Sequence, residues 1–309
     1  MMLPEGNVVH FDGFQLEEQG GWTTMRVTDA WTSDASRMAA SGRIDELLLN
    51  YAWGFKEPDL AFIQKWPIKG IFVLARWLKD LTPIHRLGST LESLNFQAAV
   101  RAEIDLVSLP LLTDLSADWP AAKKSFSTLE NLSSVYFASY GAHDLTPLTG
   151  NSRLTSIRMK QYPQVRSIDG IQEFKNLNQV EIVLATKLDD ITALHDPTPQ
   201  SSLRSVDFNS CKRIANVEDF VGLGNLENLY LGNCGPLDSL KPLVALTKLR
   251  SLIMYESTVI TDGDLSPLLS MPALRDLAMA NRRHYRPSVK EVKATLEARN
   301  DFERHELNM

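Results

Sequence analysis

From Ile44 to Met279 the sequence repeats one pattern, apolar-x-x-apolar-x-apolar, eleven times. It first appears as Ile44-Asp-Glu-Leu47-Leu-Leu49 and last as Leu274-Arg-Asp-Leu277-Ala-Met279. The fourth positions are Leu47, Ile71, Leu94, Leu115, Val135, Ile157, Val180, Val206, Leu229, Leu252 and Leu277, spaced 20 to 26 residues apart with a mean of 23. One such hexamer occurs on many helices. Eleven at a near-constant period define a stack of repeats. The apolar-x-apolar end of each hexamer reads as a short strand with one buried face. Stacked side by side, the strands form a parallel sheet of about 11 strands whose inward side chains make a continuous core. A single repeat cannot bury that face alone, so the end units must be capped.

The return half of each repeat has its own period. Between Cys234 and Leu249 a Leu recurs every third residue, at 237, 240, 243 and 246. That spacing predicts short 3₁₀ or irregular turns on the convex side. In the tenth repeat, Ser257-Thr-Val-Ile260-Thr-Asp262-Gly-Asp-Leu265-Ser-Pro-Leu268 predicts a helix with Asp262 or Asp264 as its N-cap.

Across roughly residues 44–281 these motifs resemble the leucine-rich-repeat superfamily. The Leu-x-x-Leu-x-x-Leu returns resemble the bacterial internalin-like class. Ser257-Thr-Val-Ile-Thr-Asp262 is similar to the cysteine-containing class, whose return begins Cys-x-x-Ile-Thr-Asp. The resemblance implies an α/β horseshoe solenoid that recognises proteins on its concave sheet. It also gives Cys211 and Cys234 a role. Each falls five residues after its fourth position, at the family's Asn/Cys ladder site, and both read as reduced, buried structural thiols. The same count places Ala99, Tyr140, Tyr162, Ala185 and Ser257 on an irregular ladder.

Residues 1–43 precede the repeats and read as an N-terminal cap: strands at Val8–Phe11 and Trp22–Val27, a turn-rich Glu17–Gly21, and a short helix over Ser33–Ala40 ended by Gly42. Residues 282–309 read as a C-terminal cap. There Ser288-Val-Lys-Glu291 is a capping box opening a helix to about Arg299, with Val289, Val292 and Leu296 on one face.

Composition narrows the function. A net charge of −6 argues against nucleic acid, because phosphate binding needs a dense Lys/Arg surface. No stretch approaches the length of apolar sequence that a membrane helix needs, and the first residues lack the charged-then-apolar order of a secretory signal. Two cysteines make no disulfide framework, and a reducing, cytoplasmic setting is expected. The six histidines share no metal-ligand spacing, and no nucleophile signature accompanies them. The expected protein is non-enzymatic, without cofactor or metal, and monomeric.

Function is expected on the sheet. One outward residue per repeat lies between the two buried ones: Leu48, Phe72, Asn95, Ser116, Tyr136, Arg158, Glu181, Asp207, Tyr230, Ile253 and Ala278. The run from Tyr136 to Tyr230 alternates aromatics with charge, and Lys160, Asn209 and Tyr255 flank it. Tyr and Arg are enriched at interface hot spots. Two readings stand side by side, a partner-binding face and a solvated face on which Arg158 pairs with Glu181. A second patch, Leu48, Phe72, Leu74 and Trp77, is either an interface or ground covered by the N-terminal segment. The partner is an unknown protein. Narrower versions are an inhibitor or immunity-type protein blocking a basic toxin or enzyme, and a ubiquitin-ligase substrate adaptor suggested by Leu3-Pro4-Glu5 and the Ile-Thr-Asp repeat. The adaptor version needs N-terminal helices where residues 6–27 read as strands.

Overall fold

The computed structural model describes the backbone of residues 8–99, 102 and 104–307, and the side chains of these residues up to 299. The chain forms two compact units, Met1–Ala138 and Ser139–Met309. Leu3-Pro4-Glu5 lies outside the described residues.

The first unit opens with β1 (Val8–Phe11), β2 (Phe14–Gln19) and β3 (Trp22–Val27), followed by α1 (Ser33–Ala40). The two outer strands and the helix match the expectation, but Glu17–Gly21 is not simply a turn. Phe11 pairs with Phe14 across Asp12-Gly13, and Gln19 pairs with Trp22 across Gly20-Gly21, so β2 is the middle strand of an antiparallel meander. Both connections are two-residue hairpins of the Asp-Gly and Gly-Gly type, with Gly13, Gly20 and Gly21 at positive φ. Strands rather than helices therefore occupy the segment on which the adaptor version depends.

The repeats of this unit supply β4 (Glu46–Asn50), β5 (Gly70–Leu74), β6 (Ser93–Gln97), β7 (Asp114–Asp118), the one-turn α2 (Trp119–Ala122) and β8 (Ser134–Ala138). The strands pair in parallel with Leu47, Ile71, Leu94, Leu115 and Val135 in one register row. β3 joins β4 in parallel, setting Met25 beside Leu47, so the meander extends the edge of the first repeat. Met25, Leu47, Ile71, Leu94, Leu115 and Val135 are all buried.

The second unit contains β9 (Ser156–Lys160), β10 (Gln179–Ile182), α3 (Pro197–Ser202), β11 (Ser205–Asp207), β12 (Asn228–Tyr230), β13 (Pro236–Leu237), β14 (Ser251–Met254), β15 (Val259–Ile260), α4 (Ser266–Leu269), β16 (Asp276–Met279) and α5 (Val289–Leu307). β9, β10, β11, β12, β14 and β16 form a parallel sheet with Ile157, Val180, Val206, Leu229, Leu252 and Leu277 in register. All eleven hexamers are thus strands, shared between the two units. β13 and β15 pair on the return side, a small second sheet that the repeat pattern does not announce.

The returns are short 3₁₀ turns, as the three-residue Leu spacing predicts. Lys241–Ala245 is one, and Leu237, Leu240, Leu243, Leu246 and Leu249 are all fully buried. Three residues per 3₁₀ turn put every third side chain on the core. The tenth-repeat helix is only α4, one turn capped at Leu265; Asp264 instead accepts the Ser266 N–H at 3.0 Å as a side-chain turn before it.

At the C-terminal end the capping box is formed. Glu291 accepts from the Ser288 N–H at 2.8 Å, and the Glu291 N–H donates to Ser288 Oγ at 3.3 Å. α5 runs on to Leu307, eight residues beyond the expected Arg299. Val289, Val292 and Leu296 are buried as anticipated. Arg299 donates to Met271 O at 2.7 Å and Leu269 O at 2.9 Å, tying the helix to carbonyls at the end of α4. Among the described residues no helix is long and apolar enough to cross a membrane.

Candidate binding face

A parallel sheet with one face in the core displays every second residue on the other. In the second unit the resulting row is Arg158, Glu181, Asp207, Tyr230, Ile253 and Ala278, in register strand by strand. All six are half-buried, while Met159, Ile182, Phe208 and Leu231 behind them are fully buried. Two residues further along the strands lies a second row that includes Lys160, Asn209, Gly232 and Tyr255.

The two rows are stitched together by side chains. Lys160 Nζ sits 2.7 Å from Glu181 Oε1, so the Glu181 ion pair expected with Arg158 is made with Lys160. Asp207 Oδ1 accepts from the Asn209 N–H at 2.9 Å and from Asn209 Nδ2 at 2.5 Å. Asn209 Oδ1 in turn accepts the Gly232 N–H at 2.7 Å, a bond to the next repeat. Gly232 lets two side chains come close: a Cβ there would meet Asn209 Oδ1 and lie 2.7 Å from Cζ of Tyr255, so a larger residue requires these side chains to shift. Sequence reasoning picked out Asn209 and Tyr255 but missed Gly232; the close approach it permits belongs to the fold, not to a motif.

Burial raises the Asp207 carboxyl to about 6, and the neighbouring Glu181 charge pushes in the same direction against Lys160 and the Asn209 bonds. Two carboxylates facing each other on adjacent strands are mutually unfavourable. The face therefore holds an acidic centre only partly neutralised from within the unit, walled by Tyr230 and Tyr255.

In the first unit the outward row is Arg26, Leu48, Phe72, Asn95, Ser116 and Tyr136. β3 lies edgewise beside β4, and its Arg26 is the neighbour of Leu48 in this row. The expected patch is larger than Leu48, Phe72, Leu74 and Trp77. Trp53 lies 6.3 Å from Phe72 and Tyr51 lies 6.3 Å from Trp77. Tyr51, Trp53 and Trp77 are 48%, 40% and 41% exposed, and the Arg26 guanidinium sits 4.4 Å above the Trp53 ring. Tyr51 and Trp53 escaped the sequence reading because they lie in a 3₁₀ turn after the strand, outside the alternating pattern.

The ladder is as expected at its centre. Cys211 Sγ donates to Ile182 O and Cys234 Sγ to Phe208 O, each at 3.2 Å, one coil back. Both thiols are free and buried; burial raises the Cys211 thiol strongly and the Cys234 thiol to about 11, well above the range in which a thiolate reacts. The third rung is Thr258 and not Ser257, with Thr258 Oγ1 donating to Leu231 O at 2.6 Å. Ser257 is exposed. Tyr162 is likewise out of the ladder, 62% exposed, with Pro163 buried behind it. In both repeats one residue is inserted after the strand, so a fixed count of five lands on the extra residue. Tyr140 and Ala185 are inward as counted, and Ala99 is half-buried beside the inward Ala98.

These features define the class. The fold is an internalin-like leucine-rich-repeat solenoid. A crystallised internalin of Listeria monocytogenes superposes with a TM-score of 0.56 at 16% identity, over 81% of this chain and 73% of that one. Internalin C2 of the same organism gives a TM-score of 0.39 at 23% identity, over 52% of this chain and 69% of that one. A TLR13 complex with single-stranded RNA gives 0.49 at 16% identity, over 79% of this chain and 33% of that one. The fold assignment rests on the first of these. No protein-family model matches the sequence, and no curated protein matches it.

Proposed function

We propose that the chain is a non-enzymatic protein-binding module that holds its partner on the outward sheet faces. In the second unit the contact residues are Arg158, Lys160, Glu181, Asp207, Asn209, Tyr230 and Tyr255; in the first they are Phe72, with its exposed aromatic neighbours, and Tyr136. The observation that carries this reading is the register row of the second unit. It places acid, base and tyrosine side by side on a half-buried sheet face, the composition of interface hot spots. An open sheet offers a long contact surface but not the enclosed, water-excluding pocket that catalysis favours.

An inhibitor or immunity-type role is the narrower reading, and the Glu181–Asp207 pair together with the net charge of −6 favours it, since both suit a basic partner. The buried, reduced Cys211 and Cys234 fit a cytoplasmic setting.

The test is affinity capture with mass-spectrometric identification of the partner, followed by titration of Tyr230→Ala and Arg158→Ala. At least a tenfold loss of affinity with unchanged thermal stability is expected. Equal affinity at equal stability would refute the reading.

A further inference from the structure

The row that carries the proposed interface does not end at Tyr230. It continues through Ile253 and Ala278 and opens into a cavity of about 300 Å³ between β16 and α5. Its lining is apolar at Ile253, Leu277, Ala278 and Leu296 and charged at Arg275, Asp276, Lys293 and Glu297. This volume is at the bottom of the range for small-molecule sites and suits one large apolar side chain. Three strands back along the row from β16, on β11, is the acidic centre. Both hydrogen bonds from Asn209 fall on Asp207 Oδ1, and among the described residues no donor reaches Oδ2. Tyr230 stands in register beside Asp207, and the Tyr255 ring lies over Gly232 on the other side of Asn209.

We propose that this row is a two-point clamp for an extended segment of a protein partner, with a Lys or Arg side chain on Asp207 between Tyr230 and Tyr255 and an apolar side chain in the Ile253–Ala278–Leu296 cavity. The proposal rests on the protein-binding reading above and adds the chemistry of the bound segment. A cation at Asp207 gains a charge-assisted bond to the carboxylate oxygen left open, and the faces of two tyrosines beside it. It also separates two acids that otherwise face each other across β10 and β11. Neither half suffices alone, because an exposed ion pair contributes little and an isolated apolar pocket selects weakly. The two points, Asp207 and Ala278, are three strands and so about 14 Å apart at roughly 4.8 Å per strand. An extended segment crossing the strands presents same-side residues every second position, so residues i and i+4 span about 13 Å and match that distance.

The probe is a fluorescently labelled peptide with Arg and Leu four positions apart in a Gly/Ser background, titrated against the full chain by polarisation. Binding is expected, with at least a tenfold loss when the peptide's Arg becomes Glu and a comparable loss when its Leu becomes Ser. Asp207→Asn removes the dependence on the Arg, and Ala278→Phe, which fills the cavity, removes the dependence on the Leu. Circular dichroism checks that each variant is folded, and Asp207→Asn covers the case in which Ala278→Phe is not. Absence of binding at millimolar protein, or equal binding of the Glu and Arg peptides, overturns the clamp. If the peptide fails while a captured partner still depends on Tyr230, the clamp is wrong and the protein-binding reading stands. If both fail, the face is not the interface.

Discussion

At Asp207 the demands of folding and of recognition oppose each other. The carboxyl is held on a half-buried face with Glu181 opposite on β10, Lys160 and Arg158 on β9 beyond it, and Tyr230 on β12 and Tyr255 just after β14 on the other side. Burial raises its pKa from 3.8 to about 6, so between those values the folded chain holds a proton that the unfolded chain releases. Stability from the protonated carboxyl is present below about pH 4 and lost as pH rises through 6. Asp207→Asn keeps an acceptor for both Asn209 bonds and removes the charge. It should raise stability at pH 7.5 by about 1–2 kcal/mol, discounted for partial exposure, with the difference vanishing below pH ~4. Thermal denaturation of the two proteins across that range checks it; a pH-independent difference would mean that charge is not the cause. A residue that costs stability on an open face is a candidate for binding. The sequence marks Asp207 as outward and acidic, but its desolvation depends on neighbours from other repeats.

The element that organises both units is the short parallel strand and the turn that ends it. In six successive repeats the residue four after the inward one is left-handed: Ser139, Gln161, Leu184, Ser210, Asn233 and Glu256, with φ between 52° and 64°. None is glycine. The conformation is held because the N–H of Ser139, Leu184, Ser210 and Asn233 donates to a carbonyl of the next coil at 2.8–3.1 Å. Such a bond outweighs a conformational cost of about 1–2 kcal/mol only once the coils are stacked. That is why no glycine signal announces these turns. The eleven repeat strands were legible, because alternation records burial directly. Leu229, fully buried at the middle of the second unit's sheet, should lose about 2–5 kcal/mol when changed to Ala. Chemical denaturation gives the number, and a loss under 1 kcal/mol would contradict the inward register.

In the second unit the core is built largely of apolar columns, and a buried amide interrupts one of them. Six residues before the inward strand residue stand Phe174, Leu223, Leu246 and Met271, all fully buried, while the longer Val206 repeat has the half-buried Gln200 there. The equivalent of these in the first repeat of the second unit is Asn151, also fully buried, with neither its amide nitrogen nor its oxygen hydrogen-bonded. An unsatisfied buried amide costs about 1–3 kcal/mol, and Leu is of similar size. Asn151→Leu should therefore stabilise the chain by about that amount, read as a rise in melting temperature; a fall would mean that the amide has a partner in solution.

The sequence by itself determined the repeat, its register and both faces of every repeat strand, since each follows from side chains two or three residues apart. It also determined the capping box, the inward thiols and the outward acids and tyrosines. Only the tertiary structure decided what those outward residues do to one another. Lys160 and not Arg158 takes Glu181, Gly232 admits the Tyr255 ring, and the row runs on into a cavity closed by α5. These contacts join residues about 20 or more positions apart, through backbone approaches that a local pattern does not encode.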